Sequence, residues 1–145
     1  MKDDIQDSID IHADLPRVWE LVSEPGWWIN SGTLGGHRIH RDGSECVVVD
    51  ESLGSFEVGI VELDEPHRAV FTWQPSGEQV PRTTVEFRLV ETEPGTVRVQ
   101  VCETGFASMS PEQHARHHRA NESGWHAELG LAAATLTGGA RVAGA

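Results

Sequence analysis

The chain has 145 residues, 23 acidic against 11 basic, and a formal net charge of −12, with Lys2 its lone lysine. That length suits a single domain with one real core. No Lys/Arg cluster is present to neutralise a phosphate backbone or an anionic bilayer, so nucleic acid and membranes are disfavoured as partners. The opening Met1-Lys-Asp-Asp4 lacks the basic-then-apolar pattern of a signal peptide, and no apolar run reaches the length of a membrane span. A cytoplasmic protein is the expectation. Cys46 and Cys102 have no metal-type spacing and fall in predicted strands, where they read as small buried thiols.

A first strand is expected around Ile5 and Ser8-Ile-Asp-Ile11. Asp14-Leu-Pro-Arg17 then starts a helix, with Asp14 as N-cap and Pro16 in the first turn, where a missing N–H does little harm. Val18, Trp19, Leu21 and Val22 give its apolar side, and Glu24-Pro-Gly26 stops it; Trp27 and Trp28 follow in a short helix or a loop. From Gly35 to Glu103 the texture is β, with strands predicted near 36–41, 45–51, 54–63, 67–74, 82–91 and 96–104. Asp42-Gly43, Leu53-Gly54, Glu65-Pro66, Pro75-Ser-Gly77 and Glu93-Pro-Gly95 separate them as turns, which fits an antiparallel meander. A long helix follows from about Pro111 to Thr137, and the small-residue tail 138–145 is expected to fray.

That order predicts one domain over 1–145, core about 5–137, in which a long helix packs on a strongly bent antiparallel sheet. Trp125, Leu129, Ala132, Ala133 and Leu136 form the helix stripe at spacings of three and four. Traced backward, the same face reaches Asn121/Glu122, His118 and His114, which are polar. The sheet is therefore expected to stand off that half of the helix and leave a cavity.

The ordered motifs resemble the START-like, or SRPBCC, superfamily with its helix-grip fold. Within it they are most similar to the group homologous to the C-terminal domain of the activator of the Hsp90 chaperone ATPase. The matching pieces are Ile9-Asp-Ile11 with Pro16-Arg-Val-Trp19, Gly54-Ser-Phe56, Glu65-Pro-His-Arg68 with Phe71-Thr-Trp73, and Thr84-Val-Glu-Phe87. Gly95-Thr96, Glu103-Thr-Gly-Phe106 and Asn121-Glu-Ser-Gly-Trp125 complete the set. The resemblance implies an α+β domain whose curved sheet wraps a long C-terminal helix. It says less of function, because the superfamily holds lipid carriers, hormone receptors and polyketide cyclases. The family usually places a single Trp several residues beyond the Glu-Pro pair, whereas Trp27-Trp28 follows Glu24-Pro-Gly26 at once. A displaced or shortened loop at the pocket mouth is expected.

Glu103 falls on the inward side of its strand with Val97, Val99 and Val101. It has three readings: a structural pair, with Glu122, Arg82 or Arg38 as partner; a ligand contact; or an acid/base group. His114, His117, His118 and His126 invite a metal, but no third ligand is evident and HExxH is absent, so none is expected. The candidate ligand-binding residues are Trp19, Trp28, Phe71, Trp73, Glu103, His118, Glu122 and Trp125, an aromatic lining with polar anchors. For each Trp, plain core packing is the competing role.

No nucleophile elbow or phosphate loop occurs, so no catalytic residue and no cofactor is assigned. The reading is a small hydrophobic-ligand binding protein whose partner is a hydrophobic or aromatic molecule. A cofactor-free cyclase or dehydratase using Glu103 or His118 as base, and a module modulating a chaperone ATPase, are the alternatives. An edge strand near 36–41 offers a surface for a homodimer.

Overall fold

In a computed structural model, residues 3–35, 37–74 and 80–144 are described, with side chains as far as Thr137. The elements in chain order are β1 (Ile5–Ile11), α1 (Leu15–Val22), β2 (Arg38–Asp42), β3 (Glu45–Asp50), β4 (Gly54–Asp64) and β5 (Arg68–Trp73). Then come β6 (Thr83–Glu93), β7 (Thr96–Thr104), a 3-10 turn at Phe106–Ser108, and α2 (Pro111–Gly144). All seven strands form one antiparallel sheet in the order β1-β7-β6-β5-β4-β3-β2. Six expected strands from β2 onward meander as their turns dictate, and β1 returns to pair with β7, Ile5 opposite Glu103 and Ile11 opposite Val97. The edges are β1 and β2. The Pro75-Ser-Gly77 turn lies outside the described residues.

Two-residue alternation decides the inner face. Val97, Val99, Val101 and Glu103 of β7 are buried, as are Thr83, Val85, Phe87 and Leu89 of β6. Ala69, Phe71 and Trp73 of β5 and Phe56 and Val58 of β4 continue that face. Register shifts between Ile60 and Glu62, and between Glu91 and Glu93, are bulges that raise local twist and help the sheet curl. Trp125, Leu129, Ala132 and Leu136 of α2 close the core from the concave side. Both cysteines are free thiols, Cys46 buried and Cys102 half-buried, and burial pushes both up from the usual thiol range.

The helix starts are as the sequence suggests in position but not always in chemistry. Asp14 has extended N-cap geometry, yet its side chain makes no capping bond; its carbonyl accepts from Val18 N–H at 3.1 Å. In front of α2, Ser110 and Gln113 form a reciprocal capping box, Gln113 N–H to Ser110 Oγ and Ser110 N–H to Gln113 Oε1, both 3.2 Å. The helix runs on past Thr137 to Gly144. Gly138 and Gly139 disfavour that by about 1 kcal/mol each but do not forbid it.

Between α1 and β2 the chain turns sharply at Gly26, φ +74, and a Cβ there would stand 2.8 Å from Val48 Cγ2. Both the left-handed backbone and the missing space require glycine. Gly26→Ala is expected to lower stability by about 1–3 kcal/mol, read from urea midpoints at unchanged slope.

The polar half of α2, where open space was expected, is packed. His114 and His117 are buried, and Phe106 stacks near His114 and His118 at 5.9 and 5.3 Å between ring centroids. His118 Nε2–H donates to the Asp4 carbonyl at 2.8 Å, so this histidine fastens α2 to the entry of β1. The physical reason is the 3-10 turn after β7, which drops Phe106 into the space that the pattern had left open.

Candidate functional site

Six aromatic side chains meet between α2 and the sheet: Trp27, Trp28, Phe71, Trp73, Phe87 and Trp125, all less than 9% exposed. Trp28 is at their centre. Its ring centroid lies 5.4 Å from Phe71, 5.5 Å from Trp73, 5.6 Å from Phe87 and 5.7 Å from Trp125. Strand alternation aims Phe71, Trp73 and Phe87 inward, and the helix stripe brings Trp125 over them. The tilted and edge-on angles are those that aromatic quadrupoles favour.

Glu103 forms the polar floor of this cluster and is wholly buried. Its Oε1 accepts from Trp125 Nε1–H at 2.7 Å and Asn121 Nδ2 at 3.1 Å. Its Oε2 accepts from Trp73 Nε1–H at 3.0 Å, Asn121 Nδ2 at 3.2 Å and the Thr83 hydroxyl. Four neutral donors from β5, β6 and α2 therefore satisfy one carboxyl group. Among the described residues, none of these donors is a cation. With so many of its lone pairs engaged, Glu103 is arranged to organise the interior rather than to attack a substrate.

A second polar group flanks the cluster. Asn30 Nδ2 donates to Glu128 Oε1 at 2.7 Å and to the Trp27 carbonyl at 2.8 Å. The His37 ring Nε2 meets the Ile29 carbonyl and lies 3.5 Å from Asp50 Oδ2. Asp50 is also the cap of the β3–β4 turn, accepting from Ser52 and Leu53 N–H at 2.8 and 2.9 Å. Burial holds the Glu128 carboxyl above the usual carboxylate range, against the opposing pull of the Asn30 bond and nearby His37.

A raised acid binds its proton more readily folded than unfolded. Its stabilising share is present at low pH, where both states are protonated, and is lost as pH rises through the folded value. Glu128→Gln is therefore expected to melt with the parent near pH 4 and above it at pH 8. The surface carboxylates Asp10, Glu45 and Glu86, held low by their arginine partners Arg98, Arg82 and Arg68, cancel in that comparison because both proteins keep them.

The sequence profile described as activator of Hsp90 ATPase homolog 1-like protein matches residues 12–136. The chain belongs to that family. None of the curated proteins compared with it matches. Among solved structures, XoxI of Bacillus cereus superposes with a TM-score of 0.74 at 10% identity, covering 93% of this chain and 96% of that one. DynU16, from the dynemicin biosynthetic locus, gives 0.70 at 18%, over 96% of this chain and 49% of that one. Norcoclaurine synthase of Thalictrum flavum, in complex with dopamine and hydroxybenzaldehyde, gives 0.60 at 15%, over 92% and 84%. At these identities the likeness fixes the fold, which is the helix grip.

In this activator-homologue domain, Trp28, Phe71, Trp73, Glu103 and Trp125 come together as one cluster. Trp19 is buried in the same core from α1. His118 is turned to Asp4, and Glu122 is exposed, one residue out of phase; the helix residue that reaches Glu103 is Asn121. Arg82 pairs instead with Glu45 at 2.8 Å on the outer face, and Arg38 is exposed on β2. Thr83, Asn30, His37, Asp50 and Glu128 are not among the candidates the sequence offers, and Asn121 stands there beside Glu122 on the helix face without a role of its own. Thr83 had a signal, since it faces inward with Val85 and Phe87. The Asn30–Glu128 contact spans 98 residues and leaves no local trace.

A surface groove of about 400 Å³ crosses Gln6, Ser8, Glu86, Arg88, Gln100 and Cys102 on the outside of the sheet, away from this cluster. Its lining is polar and partly ion-paired, Arg88 to Glu86 at 3.2 Å. Among the described residues, no helix is long and apolar enough to cross a membrane, and no group of His, Cys, Asp and Glu is placed to hold a metal.

Proposed function

We propose that this domain binds a small hydrophobic, aromatic molecule between α2 and the concave face of the sheet, in the cytoplasm. The observation that carries the reading is the aromatic cluster itself, assembled over a buried carboxyl whose bonds fix the orientation of two of its rings. Ligand sites are mostly apolar with a few placed polar groups, and this interior has that make-up. The norcoclaurine synthase structure holds two aromatic molecules on the same fold at 15% identity, which is consistent with aromatic recognition here.

A second reading is favoured by one observation. Glu128 is half-buried beside the cluster with its proton affinity raised by desolvation, which suits the acid of a cofactor-free cyclisation or dehydration. Glu103 and His118 are less suited to that role, being engaged by the contacts described above.

The test is a native mass spectrum of the protein purified from its own host, followed by denaturation and identification of what is released. A bound aromatic mass is the expected result. Protein repeatedly empty, and unable to bind any member of an aromatic fragment set, would overturn the binding reading. The same spectrum reports whether two copies associate. Failure to change a chaperone's ATPase rate would remove an activator role.

A further inference from the structure

The ring at the centre of the cluster comes from the least regular part of the fold. Residues 23–28 form turns and a bend, closed by Ser23 N–H to Trp19 O at 2.9 Å, Glu24 N–H to Leu21 O at 3.1 Å, Trp27 N–H to Glu24 O at 3.2 Å and Ile29 N–H to Gly26 O at 3.0 Å. Beyond these, the segment is held through Asn30 to Glu128 of α2 and through His37 to the Ile29 carbonyl. These backbone bonds are all local and none belongs to a strand ladder, so the segment is held to the sheet and α2 by side chains, the buried Trp27, Trp28 and Ile29 with the Asn30 and His37 contacts.

The indoles of the cluster also divide into two kinds. Trp73 and Trp125 each donate to Glu103. Among the described residues, Trp27 and Trp28 leave their Nε1–H buried without any acceptor. A buried indole normally finds one, and leaving it unpaired forfeits the bond it would make in water. Trp28 thus contributes a ring to the site while its polar atom gains nothing from being there. Moving it to water would restore a hydrogen bond and vacate a ring-shaped space walled by Phe71, Trp73, Phe87 and Trp125.

We infer that Trp28 is a built-in occupant of the ligand site, whose place is taken by the ring of a bound molecule when the turn swings out. Asn30 and Glu128 form the latch that keeps it in. This rests on the binding reading above and narrows it to a neutral, planar aromatic of one or two fused rings. The exchange replaces one buried ring by another, so interior apolar area is conserved and the latch sets the balance. A cationic ligand is not favoured, because Glu103, the carboxyl that would pair with it, already serves four donors.

The probe is 2-naphthol, titrated into the intact protein and into Asn30→Ala, Glu128→Ala and Trp28→Ala. Loosening the latch is expected to tighten binding about fivefold, the equivalent of one hydrogen bond, and Trp28→Ala to tighten it further. In an amide-labelled sample, the indole N–H signal absent from Trp28→Phe identifies Trp28. That signal is expected to move to the solvent-exposed position and exchange with water as naphthol is added. Binding with that signal unmoved, and with equal affinity in both latch variants, would overturn the inference while leaving the binding reading intact. Binding by Trp28→Ala alone, with the parent and both latch variants empty, would mean an artificial cavity and would also overturn it. No binding by any folded variant would remove both readings for this ligand class.

Discussion

Glu103→Leu is expected to be the most damaging single substitution in the interior, lowering stability by about 4 kcal/mol or more. The side chain is of similar bulk and more apolar, so transfer alone would favour it. What decides the outcome is the set of donors left behind. Trp73 and Trp125 indole N–H groups, the Thr83 hydroxyl and the Asn121 amide all converge on the carboxyl. Asn121 is half-exposed and Thr83 can rotate, so these two recover part of the loss. The two indoles are locked among neighbouring rings and cannot. With whole domains stable by about 5–15 kcal/mol, such a loss removes a large share of the total.

Glu103→Gln should do less harm, about 2 kcal/mol, since it keeps one acceptor oxygen while setting an N–H₂ against existing donors. The check is a urea series with a double-mutant cycle. Trp73→Phe, which deletes one donor, should cost less in the Glu103→Leu background than alone. Equal costs in both backgrounds, or a Glu103→Leu protein within 1 kcal/mol of the parent by the same series, would mean the network does not set the interior.

The fold was legible in the sequence for a specific reason. In β6 and β7 an inner, largely apolar set alternates with an outer, largely polar one, and the turns between strands carry Gly, Pro or Asp. Alternation even fixed the side on which Glu103 lies. The helix phase was less determinate. Extending the Trp125 stripe backward reaches both Asn121 and Glu122, since a helix repeats every 3.6 residues and either fits within half a step. A carboxylate invites pairing in thought, but the structure seats the amide, because Glu103 needs a donor and Glu122 has none to offer when ionised.

Contacts between distant segments are legible only in part. Trp28 is among the lining residues the sequence offers, but Trp27 and Trp28 follow a Pro-Gly stop and show no period, so the central place of Trp28 and the latch made by Asn30 and Glu128 leave no local signal. His37 sits in a glycine-rich approach to β2 and Asp50 at a strand end, where each looks like ordinary turn chemistry. The expected open space under the N-terminal half of α2 failed for a related reason. Nothing in the alternation that ends at Glu103 signals that Gly105, at φ +108, starts the turn that seats Phe106 against His114 and His118.

Trp125→Ala is the second large expected effect, about 3–5 kcal/mol for truncating a buried aromatic. Two separable losses make it up. One is the ring, which is 3% exposed and lies 5.6 Å from Phe87 and 5.7 Å from Trp28. The other is the 2.7 Å hydrogen bond to Glu103. Trp125→Phe keeps one six-membered ring while removing the donor and the rest of the indole, leaving Glu103 Oε1 with Asn121, and should cost about 1–2 kcal/mol. Both variants lack the donor, so the difference between them measures the packing of the six-membered ring that Phe retains. If both cost the same, the bond dominates and the ring is a passive filler; if Trp125→Phe is neutral, packing dominates and Glu103 tolerates the loss of one donor. A ring that both packs the core and faces the proposed site should also couple to ligand. Trp125→Phe is accordingly expected to bind 2-naphthol at near-parental affinity, and Trp125→Ala, if it folds, to bind it more weakly because one wall of the ring-shaped space is gone. Isothermal titration beside the urea series separates the two contributions, since the bond is read in stability and the wall in affinity.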